Sequence, residues 1–92
     1  MQMKLNHAFQ LNEVAGEFMV VYTGARTASL SKVYSLNRSA AWLWNKIGDT
    51  DFTEELLVDW LCEEYVLARE VARQDVHNLV MLWQKSGMVL PE

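Results

Sequence analysis

The first third of the chain has the two-residue alternation of apolar and polar positions that is typical of β-strands. Residues 9–12 alternate, Gly16 interrupts the run, and residues 18–22 read Phe-Met-Val-Val-Tyr. β-Branched and aromatic residues in such short runs favour strands, so we predict two strands joined near Gly16. A small and polar segment over residues 23–29 predicts a loop. A third strand is then predicted over residues 32–36.

The third predicted strand divides its side chains between two faces. By the two-residue repeat of a strand, Val33 and Ser35 lie on one face and Tyr34 and Leu36 lie on the other. The second pair offers the larger apolar area, so we expect Tyr34 and Leu36 to face the core.

After Leu36 the apolar period lengthens to that of a helix. Asn37 or Ser39 can cap the first turn, because either side chain can accept hydrogen bonds from free backbone N–H groups. An apolar stripe follows, formed by Ala40, Leu43, Trp44 and Ile47. Gly48 and the polar residues after it predict the end of a helix of about ten residues.

Residues 53–87 have a helical period throughout and leave open whether they form one helix or two. No Gly or Pro occurs between Thr53 and Ser86. A helix of about 35 residues is improbable in so small a domain, since the mean helix has roughly 11 to 12 residues. We therefore predict a turn over residues 66–69. The apolar residues 88–90 are expected to pack back on the core.

Composition and charge narrow the class of protein. The 92 residues form a single domain, residues 1–92, and 51% of them are hydrophobic, which favours a folded core. The formal net charge of −4 opposes binding to phosphate backbones. The longest apolar runs fall far short of the roughly 20 residues that cross a bilayer. With no signal pattern at its start and only Cys62 as a thiol, the chain is expected in the reducing cytoplasm.

No set of residues predicts catalysis, a metal site or a cofactor. His7, His77 and Cys62 are scattered, without the close spacing of a zinc site. The acidic pairs at residues 54–55 and 63–64 are expected to form a solvated helix face. The isolated glycines belong to no phosphate-binding loop.

Trp42 does not fit the apolar stripe of the first helix. At 100° per residue it lies about 160 to 200° away from that stripe, on the outer face. It is expected either to be buried under the sheet edge or the C-terminal tail, or to contact a partner. Met81 lies in a similar position on the last helix, where a single exposed apolar residue carries less meaning.

Three blocks of residues carry a resemblance to a known family. The blocks are Tyr34-Ser35-Leu36-Asn37 with Ser39-Ala40-Ala41 and Leu43-Trp44; Thr53-Glu54-Glu55-Leu56 with Leu61 and Tyr65; and Asp75-Val76 with Leu79, Leu82 and Gly87-Met88-Val89. In their order and spacing the chain resembles the PqqD family of coenzyme PQQ synthesis protein D proteins, also called RiPP recognition elements. Ala68 departs from the Ser, Thr or Asp that commonly caps the third helix.

The resemblance implies a fold and a function. The implied fold is α+β and winged helix-turn-helix-like, with a three-stranded antiparallel sheet followed by three helices. The implied function is that of a non-catalytic adaptor, which binds the leader of a ribosomally made precursor peptide and presents it to a maturation enzyme of the radical SAM type. The product would be PQQ or a related peptide-derived compound.

Strand addition to the third strand is the implied mode of binding, since an edge strand has unpaired N–H and C=O groups. The expected peptide-binding residues are Lys32, Val33, Tyr34, Ser35 and Leu36 on the strand and Asp75, Asn78, Leu79 and Leu82 on the third helix. Trp42 and Met81 are weaker candidates for contact with a partner.

Two alternatives remain open. The first is a winged-helix DNA-binding regulator, disfavoured because residues 69–87 have a net charge of only about +1. The second is a structural dimerisation subunit, in which Trp42 and Met81 are buried in a homodimer.

Overall fold

The fold was analysed in a computed structural model that describes residues 2–23 and 33–91. Its strands are β1 (Met3–Leu5), β2 (Phe9–Val14), β3 (Glu17–Tyr22), β4 (Val33–Leu36) and β5 (Val89–Pro91), and its helices are α1 (Arg38–Ile47), α2 (Glu54–Glu64) and α3 (Arg69–Ser86). The predicted α+β fold, a three-stranded antiparallel sheet followed by three helices, is confirmed. Lys32 and residues 24–29 of the predicted loop lie outside the described residues.

The three-stranded sheet has the order β2-β3-β4, and both strand pairs are antiparallel. A two-residue turn joins β2 to β3, with φ of 54° at Ala15 and 82° at Gly16. Positive φ at both central residues is the geometry that matches the twist of a hairpin, which explains the glycine. The pairing places Val20 opposite Tyr34 and Phe18 opposite Leu36, so these side chains share the core face.

The burial of β4 follows the predicted alternation. Leu36 is buried and Tyr34 is half-buried beside the ring of Phe9, 6.4 Å away. Val33 and Ser35 are exposed on the opposite face. The prediction that Tyr34 and Leu36 face the core is therefore confirmed.

A second sheet, which the sequence did not indicate, joins the two ends of the described chain. β1 pairs with β5 in antiparallel register, with Leu5 opposite Val89. Met3 also exchanges two backbone hydrogen bonds of 2.8 Å with Phe52. Met88 and Val89 are buried, which confirms that this part of the apolar tail packs back on the core, whereas Leu90 is exposed.

The helices begin and end largely where their caps predict. Asn37 caps α1 and Thr53 caps α2, each accepting a hydrogen bond from the backbone N–H three residues on. All four residues of the predicted α1 stripe are buried. Gly87 ends α3 with a φ of 82° in the left-handed region, where a residue without Cβ is favoured.

Residues 53–87 form two helices, separated by an extended turn. Tyr65 and Ala68 have extended backbone angles, and the side chain of Val66 is fully exposed. As the resemblance implied, Ala68 gives α3 no side-chain cap. The predicted turn over residues 66–69 thus lies within one residue of the break. β-Branched Val66 has a low helix propensity, which favours a break at this point.

Charged side chains join α2 to α3 on the outer surface. Arg69 lies 2.7 Å from Asp59 and 3.1 Å from Glu55, and Arg73 lies 3.4 Å from Glu55. The hydrogen bond from Arg69 to Asp59 raises the pKa of this guanidinium above its usual value. Glu54 pairs with His77 at 3.1 Å. The acidic pair at residues 54–55 therefore remains solvent-exposed, as predicted, and also has hydrogen-bonding partners on α3 that depend on helix packing.

Among the described residues, no helix combines the length and apolar character needed to cross a bilayer.

Candidate functional site

An open groove of about 700 Å³ lies between the start of α1, the end of α2 and the middle of α3. It is lined by Asn37, Arg38, Ser39, Ala40, Leu43, Leu61, Tyr65, Leu67, Asp75, Val76, Asn78, Leu79 and Leu82. The groove begins at Asn37, the residue that follows β4, so the edge strand of the sheet leads directly to it.

The floor of the groove is apolar. Leu43, Leu61 and Val76 are buried at the contacts between the three helices, with at most 5% of their surface exposed. Leu79 is half-buried on the wall, and Leu82 is 49% exposed at the rim. Such a surface can bury the apolar side chains of a ligand, and burial of this kind is the main favourable term in association.

Polar side chains surround that floor. Asn37 is occupied by capping, since its Oδ1 accepts from the Ala40 N–H at 2.8 Å and from the Ser39 hydroxyl at 3.1 Å. The Asn78 side-chain oxygen accepts from Gln74 at 3.2 Å. Arg38 and Asp75 differ from these, because neither has an ion-pair partner among residues 2–23 and 33–91.

β4 is the edge strand of its sheet, and the register identifies which of its backbone groups are free. The Thr23 N–H donates to the Ala8 carbonyl at 2.6 Å, so these two opposed residues form a hydrogen-bonded pair. Hydrogen-bonded pairs alternate along antiparallel strands, so Met19 and Val21 direct their N–H and C=O groups to β2.

The same alternation continues into β4. Phe18 and Val20 direct their backbone groups away from β2, toward their partners Leu36 and Tyr34. The N–H and C=O groups of Val33 and Ser35 therefore point to the free edge. In the described part of the chain no strand pairs with that edge.

The structure brings together the residues that were predicted on α3. Asp75, Asn78, Leu79 and Leu82 all line the groove, on one flank of the helix. Of the predicted strand residues, Val33, Tyr34, Ser35 and Leu36 form β4, which ends where the groove begins, and Lys32 lies outside the described residues. Tyr34 and Leu36 direct their backbone groups to β3, so Val33 and Ser35 are the β4 residues that offer free backbone groups.

Trp42 has an intramolecular partner that the sequence did not indicate. Its ring is half-buried and lies 5.9 Å from that of Tyr65, nearly perpendicular to it. The ammonium group of Lys46 lies 5.6 Å from the Trp42 ring and 5.1 Å from the Trp60 ring. Tyr65 also lines the groove, so Trp42 supports a groove residue from behind. Met81 is 54% exposed on α3 and does not line the groove.

The contributions of α1 and α2 to the groove were not predicted from the sequence. Arg38, Leu43, Leu61, Tyr65 and Leu67 line it, and none had been proposed as a site residue. One signal was available for Arg38: it occupies the first turn of α1, which contains no acidic residue. A cation at this end opposes the helix dipole, so its position is not explained by helix stability.

The groove is lined by apolar and uncharged polar side chains together with Arg38 and Asp75. Within the described residues, no three His, Cys, Asp or Glu side chains lie close enough together to hold a metal ion. The two His contacts, His7 with Asp49 at 3.2 Å and His77 with Glu54 at 3.1 Å, are on the surface outside the groove.

The domain belongs to the α+β class, with an antiparallel sheet whose edge strand leads to a groove between three helices. The comparison with protein families agrees with this fold. The family model described as coenzyme PQQ synthesis protein D (PqqD) matches residues 19–89. The chain belongs to the PqqD family, as its resemblance had indicated.

Two solved structures share the fold at low sequence identity. One is titled "Lasso peptide synthetase B1 complexed with the leader peptide"; it has a TM-score of 0.71 and 20% identity, over 97% of this chain and 98% of that one. The other, "TbiB1 in Complex with the TbiA(beta) Leader Peptide", has a TM-score of 0.69 and 17% identity, over 94% and 93% of the two chains. The comparison with curated proteins found no significant match.

Proposed function

We propose that this protein binds the leader segment of a ribosomally made precursor peptide, by addition of an extended strand to the free edge of β4. The observation that carries the proposal is the position of that edge. The strand that carries the unpaired backbone groups of Val33 and Ser35 runs into Asn37, and Asn37 lines a groove of about 700 Å³ with an apolar floor. A peptide strand can form main-chain hydrogen bonds there while its side chains enter the groove.

The structural relatives support the same assignment. Each of the two is titled as a complex with a leader peptide, and each matches this chain over more than nine-tenths of its length. Their identity to this chain is 20% and 17%, so they support the fold that presents the site rather than any particular contact.

The protein would act as a non-catalytic adaptor in the cytoplasm. A strand-binding edge and an apolar groove hold a peptide without breaking bonds, and they need no cofactor. The bound leader would keep the rest of the precursor close to a maturation enzyme, which raises its effective concentration there. We propose a radical SAM enzyme as that partner, and PQQ or a related peptide-derived compound as the product.

Binding can be tested with a proline in β4. Ser35→Pro removes an N–H that faces the free edge, where proline is tolerated, whereas Ser35→Ala keeps the backbone donor. Synthetic leader peptides from gene clusters that encode PqqD-family proteins should bind the Ala variant like the wild type and the Pro variant at least tenfold more weakly. Equal affinity of both variants, with an unchanged melting temperature, would exclude addition at this edge.

The ion pairs of α3 further disfavour the DNA-binding alternative. Two of the basic residues of α3, Arg69 and Arg73, are paired with Glu55 or Asp59 of α2. Phosphate contact would require these pairs to open, and the surrounding acids would repel the phosphates. Absence of a mobility shift with duplex DNA at low salt is therefore expected. The homodimer alternative is tested by the mass of the protein in solution.

A further inference from the structure

The groove contains two charged side chains that no neighbouring side chain neutralises. Arg38 stands on the α1 side and Asp75 on the α3 side, and both are exposed. Neither forms an ion pair within the described residues. These two are the charged residues that line the groove, whose other lining residues are apolar or uncharged.

The distribution of charge on α3 makes Asp75 distinct. The basic residues Arg69 and Arg73 are held against α2 by Glu55 and Asp59. The bases of this half of α3 thus point away from the groove, whereas Asp75, one of its two acids, lines the groove. A peptide in the groove therefore meets a free carboxylate on the α3 wall.

Arg38 has the opposite sign on the other wall. It lies in the first turn of α1, which contains no acidic residue. The N-terminal end of a helix is already partially positive, so this wall adds the helix dipole to the guanidinium charge. The groove is consequently polarised between α1 and α3.

We propose that the groove selects its peptide by charge: it takes an extended segment with an apolar anchor, a basic side chain against Asp75 and an acidic side chain against Arg38. This inference rests on the proposed strand addition, which by itself reads little sequence because it uses main-chain groups. The apolar floor accepts many side chains of similar size. Charge would let the groove discriminate between peptides. A side chain of the wrong sign is repelled, and it gives up its hydration without gaining an ion-pair partner.

A random-peptide phage library is the probe for this selection. Peptides enriched by the wild type should carry Lys or Arg at one fixed distance from an apolar residue and Asp or Glu at another. Synthetic versions with the basic residue replaced by Glu should bind roughly twofold to fivefold more weakly, the range expected for exposed charge pairs. Asp75→Lys should invert the preference at the first position, and Arg38→Glu should invert it at the second.

Glu70→Lys is the matched control, because it makes the same change of charge on α3 outside the groove. It should leave both preferences unchanged. Enriched peptides without a charge preference, or an equal effect of Glu70→Lys and Asp75→Lys, would overturn charge selection and leave strand addition intact. Enrichment that is the same on the Ser35→Pro variant would instead contradict strand addition itself. Melting curves of each variant identify any loss of fold.

Discussion

Asn37 accepts a hydrogen bond from the backbone N–H of Ala40 at 2.8 Å, so the residue that follows the edge strand β4 is also the cap of α1. This single contact fixes where the strand stops and where the helix starts. Because the groove opens at the same residue, the cap also sets the position of the groove relative to the strand edge.

Loss of this cap should destabilise the fold by a moderate amount. Asn37→Ala removes the acceptor and is expected to lower the free energy of unfolding by about 1 kcal/mol. Asn37→Asp keeps an acceptor and places a negative charge at a helix N-terminus, so it should retain the stability of the wild type. Urea unfolding measures both. Equal midpoints for the Ala and Asp variants would show that the side chain does not act as a cap.

The Trp42–Tyr65 contact should affect both stability and binding. The nearly perpendicular rings lie 5.9 Å apart, a geometry worth about 1 kcal/mol beyond the area that it buries. Trp42→Ala should therefore lower stability and free Tyr65 to move, which weakens peptide binding. Trp42→Phe keeps an aromatic partner and should preserve binding. If the Ala variant binds peptide as tightly as the Phe variant, Trp42 does not position the groove.

The sheet between β1 and β5 should contribute strongly to stability. Leu5 is only 4% exposed, opposite Val89, whereas the adjacent Lys4 is exposed. Leu5→Ala should cost about 2 to 4 kcal/mol, as for other buried leucines, and Lys4→Ala less than about 0.5 kcal/mol. Thermal unfolding distinguishes the two. Similar melting temperatures for both variants would mean that β1 does not pack as described.

Peptide binding should depend more on the groove wall than on the opposite side of α3. Leu79 is half-buried in the groove wall, and Met81 is 54% exposed outside the groove. Leu79→Ala is expected to weaken peptide binding by roughly fivefold or more, because an anchor contact is lost. Met81→Ala should leave affinity unchanged. Calorimetric titration with the same leader peptide measures both affinities. An equal loss of affinity in the two variants would contradict a role for the groove wall in binding.

Local pattern was enough to predict the strands of the central sheet and the helices, and the family resemblance supplied the antiparallel arrangement of those strands. The two-residue repeat around Tyr34 and the longer period after Leu36 are set by contacts within each element, so they are visible in a short window. The pairing of β1 with β5 has no such signal. Each strand has three residues, and the partners lie more than 80 residues apart in the chain.

The site was predictable only in part, for the same physical reason. The four α3 residues share one helical flank, which phase and the family resemblance together indicate. Tyr65 and Arg38 reach the groove because of how α1 and α2 pack on α3, which no single element determines. The identity of the free amides in β4 depends on the register of two neighbouring strand pairs.

Amide hydrogen exchange at β4 tests strand addition most directly. In the free protein, the amides of Tyr34 and Leu36 should be protected by β3, and those of Val33 and Ser35 should exchange rapidly. Saturation with a leader peptide should slow exchange at Ser35 by at least tenfold and change Tyr34 little. An amide of Ser35 that exchanges at the same rate with and without bound peptide would contradict the account.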